Sequence, residues 1–287
     1  MKKLAILGTG AMGFRIAINL INAGYELAVW NRTPGRYHRL IELGAVSCTT
    51  PRVACEKADV IIAMLTDDAA SREVWLGVDT GGIVGIQPGK VVLEYSTLTP
   101  SWCKELAAQL QERGVDFLDA PVVGSRLQAE GKQLIHLVGG DAKVLNAVSD
   151  ILNVCATAVH HVGPVGSGMT VKLAVNGLFA IQVAALSESL GVLEKAGISV
   201  KQSLELLSGL PTTSLALKGV GGLIETRNYA PLFPISLVEK DLNYLARLAD
   251  ANGAITPVVD AARKVFCVAR ENGYADDNIS AISQLYL

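Results

Sequence analysis

Gly8-Thr9-Gly10-Ala11-Met12-Gly13 reads G-x-G-x-x-G, a spacing whose chemistry is the cradling of a pyrophosphate. Gly8 permits a tight turn, Gly10 lets backbone approach the phosphates, and Gly13 lets a helix pack closely on its strand. The phosphates would then meet unpaired N–H groups at a helix start. About 20 residues further on, folds that prefer NAD place a carboxylate for the ribose 2′-hydroxyl. Here Asn31-Arg32-Thr33 stands instead. A carboxylate would repel a 2′-phosphate, whereas a guanidinium offers it paired donors and can stack on adenine. Asn31 and Thr33 add neutral donors. The expected cofactor is NADP (NADPH), with NAD the weaker alternative.

Such a turn works only between particular elements. Lys2 to Leu7 is a short apolar run of the kind that forms a buried parallel strand, Phe14 to Ile21 has helical spacing, and Glu26 to Trp30 reads as a second strand. Strands are also expected at Val60–Leu65, ending in the capping sequence Thr66-Asp67-Asp68, and at Val91–Tyr95, Val115–Asp119 and Gln133–Val138. A helix over Ser101–Arg113 is stopped by Gly114. This alternation predicts an α/β fold, a Rossmann-type doubly wound parallel sheet. Beyond Gly163 the pattern becomes helical. Ser199 with Gln202 spells a capping box, Thr256-Pro257 an N-cap followed by proline, and Gly197, Gly253 and Gly273 sit where helices would stop. The expected organisation is a dinucleotide-binding domain over 1–162 and an all-helical C-terminal domain over 163–287, with the boundary within His161–Gly166.

Composition narrows the partners. Half of the 287 residues are hydrophobic and the net charge is −2. No basic stretch suggests nucleic acid. The five cysteines are scattered without a C-x-x-C, which implies neither a disulfide framework nor a zinc site and points to a reducing cytoplasm. The N-terminus enters a strand directly, leaving no room for a signal peptide. Leu173–Leu193 is apolar enough to resemble a membrane span, but Asn176, Gln182, Ser187 and Glu188 interrupt it, and a buried core helix is expected. His160 and His161 are adjacent on a strand, so they point to opposite faces and make a poor chelating pair. No metal site is expected.

Four segments fall in order: the Gly8–Leu20 turn and helix, Ser96-Thr97-Leu98-Thr99-Pro100, Asp119-Ala120-Pro121-Val122-Val123-Gly124-Ser125, and Gly163-Pro164-Val165-Gly166-Ser167-Gly168 leading to Lys172 and Asn176. Together with Lys240-Asp241-Leu242 they resemble the β-hydroxyacid dehydrogenase family over nearly the whole chain. Asn31-Arg32-Thr33 looks most like its glyoxylate/succinic semialdehyde reductase branch. The resemblance implies that Lys172 is the catalytic lysine and that Asn176, four residues on and on the same helix face, holds the substrate. A protonated lysine can give a proton to a carbonyl oxygen and stabilise the alkoxide that develops there. The resemblance also implies substrate binding at Ser96 and the turn Val123-Gly124-Ser125, whose backbone N–H groups can form a nest for a carboxylate. It further implies cofactor contacts at Ala11, Met12, Leu65, Thr66, Thr97 and Lys240, beside the residues already named.

One departure stands out. The family usually carries serine and two small residues after Pro-Val, whereas this chain has Val123, Gly124, Ser125 and Arg126. A hydroxyl is lost at Val123 that Ser125 could replace, and Arg126 is a candidate partner for a distal carboxylate. The function expected is hydride transfer between NADPH and a small aldehyde- or keto-acid in a crevice between two domains, by a homodimer or homotetramer. Two alternatives stay open, an imine reductase and an NADP-binding regulator without turnover. Lys172 argues against the first and an intact Lys172–Asn176 pair against the second.

Overall fold

The computed structural model describes every residue except Pro34 and Arg36. The chain divides into two units, Met1–Lys172 and Leu173–Leu287. The first is built on a sheet of nine strands: β1 (Leu4–Leu7), β2 (Leu27–Trp30), β3 (Val46–Ser47), β4 (Val60–Ala63), β5 (Val91–Glu94), β6 (Asp116–Asp119), β7 (Val122–Val123), β8 (Leu134–Gly139) and β9 (Ala156–Gly163). Their order is β3-β2-β1-β4-β5-β6-β8-β7, with β9 on β8. The six strands from β3 to β6 are parallel, in the order that marks the doubly wound dinucleotide fold.

Burial explains the strand sequences. A parallel sheet is covered on both faces, so its strands are apolar throughout rather than alternating. All of β1 and β4 is buried. Alternate residues feed two cores, Leu4 and Ile6 one face and Ala5 and Leu7 the other.

The expectation of a parallel sheet needs one correction. Past β6 the sheet is mixed, because β8 runs antiparallel to β6 and β7 and parallel to β9. Asp119↔Gly139, Val122↔His136 and Val123↔Ile135 share one antiparallel register. Pro121 between them has no N–H for the ladder, yet its carbonyl accepts the Leu137 N–H at 3.1 Å, so β6 and β7 lie end to end along β8.

The second unit is helical, with its own core around Val183, Leu190, Leu242 and Phe266. Helix Ser167–Lys195 gives its first turns to the first unit and the rest to the second. It is long and apolar enough to cross a membrane, and half of its most apolar window is buried within the protein. Two cap expectations are modified. Ser199 accepts from the Gln202 N–H, the serine's half of a capping box, and Thr256 holds its cap position without a side-chain bond while Pro257 opens the helix.

Candidate active site

The nucleotide turn is shaped as its glycines demand. A Cβ on Gly13 would overlap the Gly8 carbonyl oxygen, whereas nothing lies within 4 Å of the corresponding position on Gly10. One glycine is enforced by packing and the other leaves open room where a pyrophosphate would need it. Ala11, Met12 and Gly13 form the opening turn of helix Ala11–Asn22, whose first N–H groups have no partner within the helix. Gly8, Gly10, Asn31, Arg32, Thr33, Leu65 and Thr66 line one cleft. These residues fit a dinucleotide.

Asn31 does more than offer a donor. Its Oδ1 accepts the Thr9 N–H at 3.0 Å and its Nδ2 donates to the Thr33 carbonyl at 3.0 Å, so it braces the glycine turn from the end of β2. Arg32 is exposed at 75% of its side chain, with a guanidinium nitrogen 4.0 Å from Glu73. Among the described residues it is the one cation in the lining of the cleft.

Ser96 is fully buried. Its hydroxyl donates to Glu94 and accepts the Leu65 N–H at 2.7 Å, while its own N–H donates to Glu94 Oε1 at 3.0 Å. The hydroxyl expected to meet a substrate carboxylate is thus spent on tying the loop after β4 to the loop after β5. Burial raises the Glu94 carboxyl from 4.5 to about 7, against the opposing hydrogen bonds from Ser96. Trp75 Nε1 and Glu94 Oε2 each lack a partner at hydrogen-bond distance, although the indole still helps to hold the carboxyl down.

Val123 ends β7, and Gly124 leads to Ser125 at the start of helix Arg126–Glu130. The Ser125 N–H donates to Gln128 Oε1 at 2.9 Å, so one backbone donor of the expected nest is engaged. Arg126 Nε is buried without a partner, while Ser125 Oγ faces the Gln128 N–H in a capping box whose geometry falls short of a full hydrogen bond. The replacement of the usual serine by Val123 therefore leaves a hydroxyl two residues on and a guanidinium next to it.

Lys172 is 7% exposed, far below what is usual for lysine, and Asn176 is 8% exposed. In the second unit Asn176 Nδ2 donates to Asp241 Oδ2 at 2.6 Å. Lys240 Nζ lies 3.0 Å from Asp241 Oδ1, an ion pair whose angles fall short of a hydrogen bond, and 5.1 Å from the Tyr244 ring centre. Asp241 is the residue that sequence reasoning passed over. Its signal is positional: it stands three residues after buried Val238 and just before buried Leu242, where the helix's stripe is otherwise apolar. Thr97 is half-buried beside Ser96. His160 is exposed on β9, and the His161 ring lies 2.8 Å from the Gly140 carbonyl oxygen. Among the described residues no cluster of histidine, cysteine and carboxylate side chains could hold a metal.

Fold and turn define a dinucleotide-dependent oxidoreductase. A family model for the NAD binding domain of 6-phosphogluconate dehydrogenase matches residues 3–163, and one for the NAD-binding region of NADP-dependent 3-hydroxyisobutyrate dehydrogenase matches 166–286. The chain is 32% identical over 281 residues to glyoxylate/succinic semialdehyde reductase 1 of Arabidopsis thaliana, covering 98% of this chain and 96% of that protein. It is 31% identical over 293 residues to the NAD-dependent L-serine dehydrogenase of Pseudomonas aeruginosa, covering 100% and 98%. The solved structure of Mycobacterium tuberculosis 3-hydroxyisobutyrate dehydrogenase with L-serine superposes with a TM-score of 0.89 at 25% identity, over 99% of both chains. The protein belongs to the β-hydroxyacid dehydrogenase family.

The buried carboxyl under Ser96 makes a pH prediction. Because the folded-state value of Glu94 lies above its ordinary one, the folded protein keeps a proton that the unfolded chain has lost between pH 4.5 and about 7. The stability Glu94 contributes is present below that window and is lost as pH rises through it. Glu94→Gln does not titrate. Its stability relative to wild type should therefore improve by about 2–3 kcal/mol between pH 4 and pH 8, as measured by chemical denaturation at both. A difference independent of pH would show that Glu94 titrates normally.

Proposed function

We propose that this enzyme transfers hydride between NADPH and a small aldehyde- or keto-acid such as glyoxylate or succinic semialdehyde, with Lys172 as the proton donor to the reacting oxygen. The observation that carries the reading is the burial of Lys172 on a largely apolar helix, a position that costs solvation and that a purely structural lysine avoids. Bound NADPH supplies the hydride. The Lys172 ammonium gives its proton to the carbonyl oxygen as that oxygen gains charge, and its own charge lowers the barrier. Asn176 gives one amide hydrogen to Asp241, so its Oδ1 and second N–H are the groups left for a substrate. Asp241 holds that amide in one orientation and draws the Lys240 cation toward it.

The acid end of the substrate calls for positive or N–H-rich surroundings. Because the Ser96 hydroxyl is committed to Glu94, we assign the carboxylate to the Gly124-Ser125-Arg126 turn, where a guanidinium nitrogen lacks a partner and the Ser125 hydroxyl is held only by a loose capping box. An arginine there suits a dicarboxylic semialdehyde. NADPH oxidation against glyoxylate, succinic semialdehyde and tartronate semialdehyde, with 3-hydroxyisobutyrate in reverse, tests the substrate class.

The NADP reading is supported by Arg32, whose exposed guanidinium lines the nucleotide cleft and could pair with a 2′-phosphate. NADPH should be preferred over NADH, and Arg32→Asp should narrow or invert that preference. Equal kcat/KM for the two cofactors in the wild type would end this assignment.

Lys172→Ala should lower turnover by about 10²–10⁴-fold while leaving NADPH affinity nearly intact. A fluorescence titration with NADPH separates binding from chemistry, and near-normal turnover in the variant would remove Lys172 from the mechanism.

Assembly belongs to the same proposal. Val171, Val175 and Leu178 fall on one stripe of the long helix and all are exposed. We expect a homodimer or dimer of dimers closed by two-fold symmetry through such helices. Sedimentation should give a dimer or tetramer at micromolar concentration, and Leu178→Lys should shift it toward monomer. A monomeric wild type would contradict the assignment.

A further inference from the structure

Asp119 ends β6, is fully buried, and serves a helix that begins almost fifty residues later. Its Oδ1 accepts the Gly166 N–H at 2.8 Å and its Oδ2 the Met169 N–H at 2.9 Å. Helix Ser167–Lys195 has no acidic residue in its own first turn. Its opening N–H groups have no acceptor within the helix, and a helix start favours negative charge. A carboxylate on the neighbouring sheet supplies both.

The packing leaves no slack around this contact. A Cβ on Gly168 would overlap the Leu137 carbonyl oxygen and lie 2.8 Å from the Asp119 carbonyl oxygen and 2.9 Å from its Oδ2. A Cβ on Gly139 would overlap Asp119 Oδ1 and lie 2.7 Å from the Pro164 carbonyl oxygen. The start of the helix is seated directly on the backbone of β6 and β8. Lys172 follows Met169 by three residues, about 4.5 Å along the axis at the helical rise. A helix is stiff over that distance, so the point where Asp119 grips it sets the place of Lys172.

We propose that Asp119 is a positioning residue for Lys172, a carboxylate that pins the start of the lysine's helix to the sheet so that the ammonium is aimed before substrate arrives. Asp119 is fully buried, bonds the backbone at the helix start and acts through the helix. Its effect on turnover rests on the reading of Lys172 as proton donor. The grip itself does not.

The test therefore has one arm without chemistry. Amide exchange is followed by mass spectrometry on the full chain without substrate, comparing wild type with Asp119→Asn, which keeps the shape but turns one acceptor into a donor facing an N–H. Peptides spanning 164–173 should exchange at least about tenfold faster in the variant, while those from β1, β4 and β5 stay within about twofold. In the second arm kcat should fall by about 10–100-fold, as expected for a displaced catalytic group, with NADPH Kd within about twofold. Unchanged exchange at 164–173 overturns the proposal. So does acceleration spread evenly over the nucleotide unit, or a loss of NADPH affinity parallel to kcat. A wild type inert toward every acid tested would sink the functional reading and leave the exchange result standing. In the wild type the Gly166 and Met169 amides should exchange no faster than those of β5, and faster exchange there overturns the proposal without any variant.

Discussion

The strands β5 and β6 end in carboxylates that are buried beneath the loops that follow, and a buried carboxylate draws its partners from those loops and helices. The rest of this protein depends on how that constraint is met. β5 and β6 pair in register so that Glu94 stands beside Asp119. Two carboxylates are buried side by side, and burial raises Asp119 from 3.8 to about 7, as it does Glu94. Such groups are tolerated only when hydrogen bonds surround them. Glu94 recruits Ser96 and through it Leu65, and Asp119 recruits Gly166 and Met169. The requirement for acceptors and donors to match converts two costly burials into fixed points for the loops of the nucleotide unit.

The second unit solves a similar problem with one group. Asp241 is buried on a helix whose stripe is otherwise apolar, and it is matched by the Asn176 amide and the Lys240 ammonium. Removing any one of the three would leave a buried polar group short of its partner, a loss larger than the net worth of the contact itself. The polar centre of this unit is thus built from residues that depend on one another.

The glycine turn and the strand–helix alternation were legible because they rest on local rules. Apolar runs of the right length, caps and glycine stops can be read one window at a time. The short strands β3 and β7 carry too few residues to show a period, and the antiparallel direction of β8 is fixed by pairing with β6 and β7, which no single window shows. Residue types at the site were also legible, but their commitments were not. Ser96 looked like a free hydroxyl and Ser125 like a free backbone donor, and both are engaged, by Glu94 and Gln128. Glu94 and Asp119 read as the polar ends of strands. Nothing in the sequence shows that Gly139 and Gly168 lie against Asp119, because those contacts join segments far apart in the chain.

The interlock of Asn31 with the glycine turn has a consequence for how this enzyme can diverge. Asn31 is bonded to Thr9 and Thr33 and cannot vary without disturbing the backbone that would meet the phosphates. Arg32 next to it faces solvent and bears no such duty. Two adjacent positions are therefore under unequal constraint, one structural and one free to drift. If Arg32 reads the cofactor as proposed, that end of the site can be rewritten by a single surface exchange while the fold beneath stays as it is. On that reading a lineage could pass from one electron pool to the other without ever crossing an unfolded intermediate.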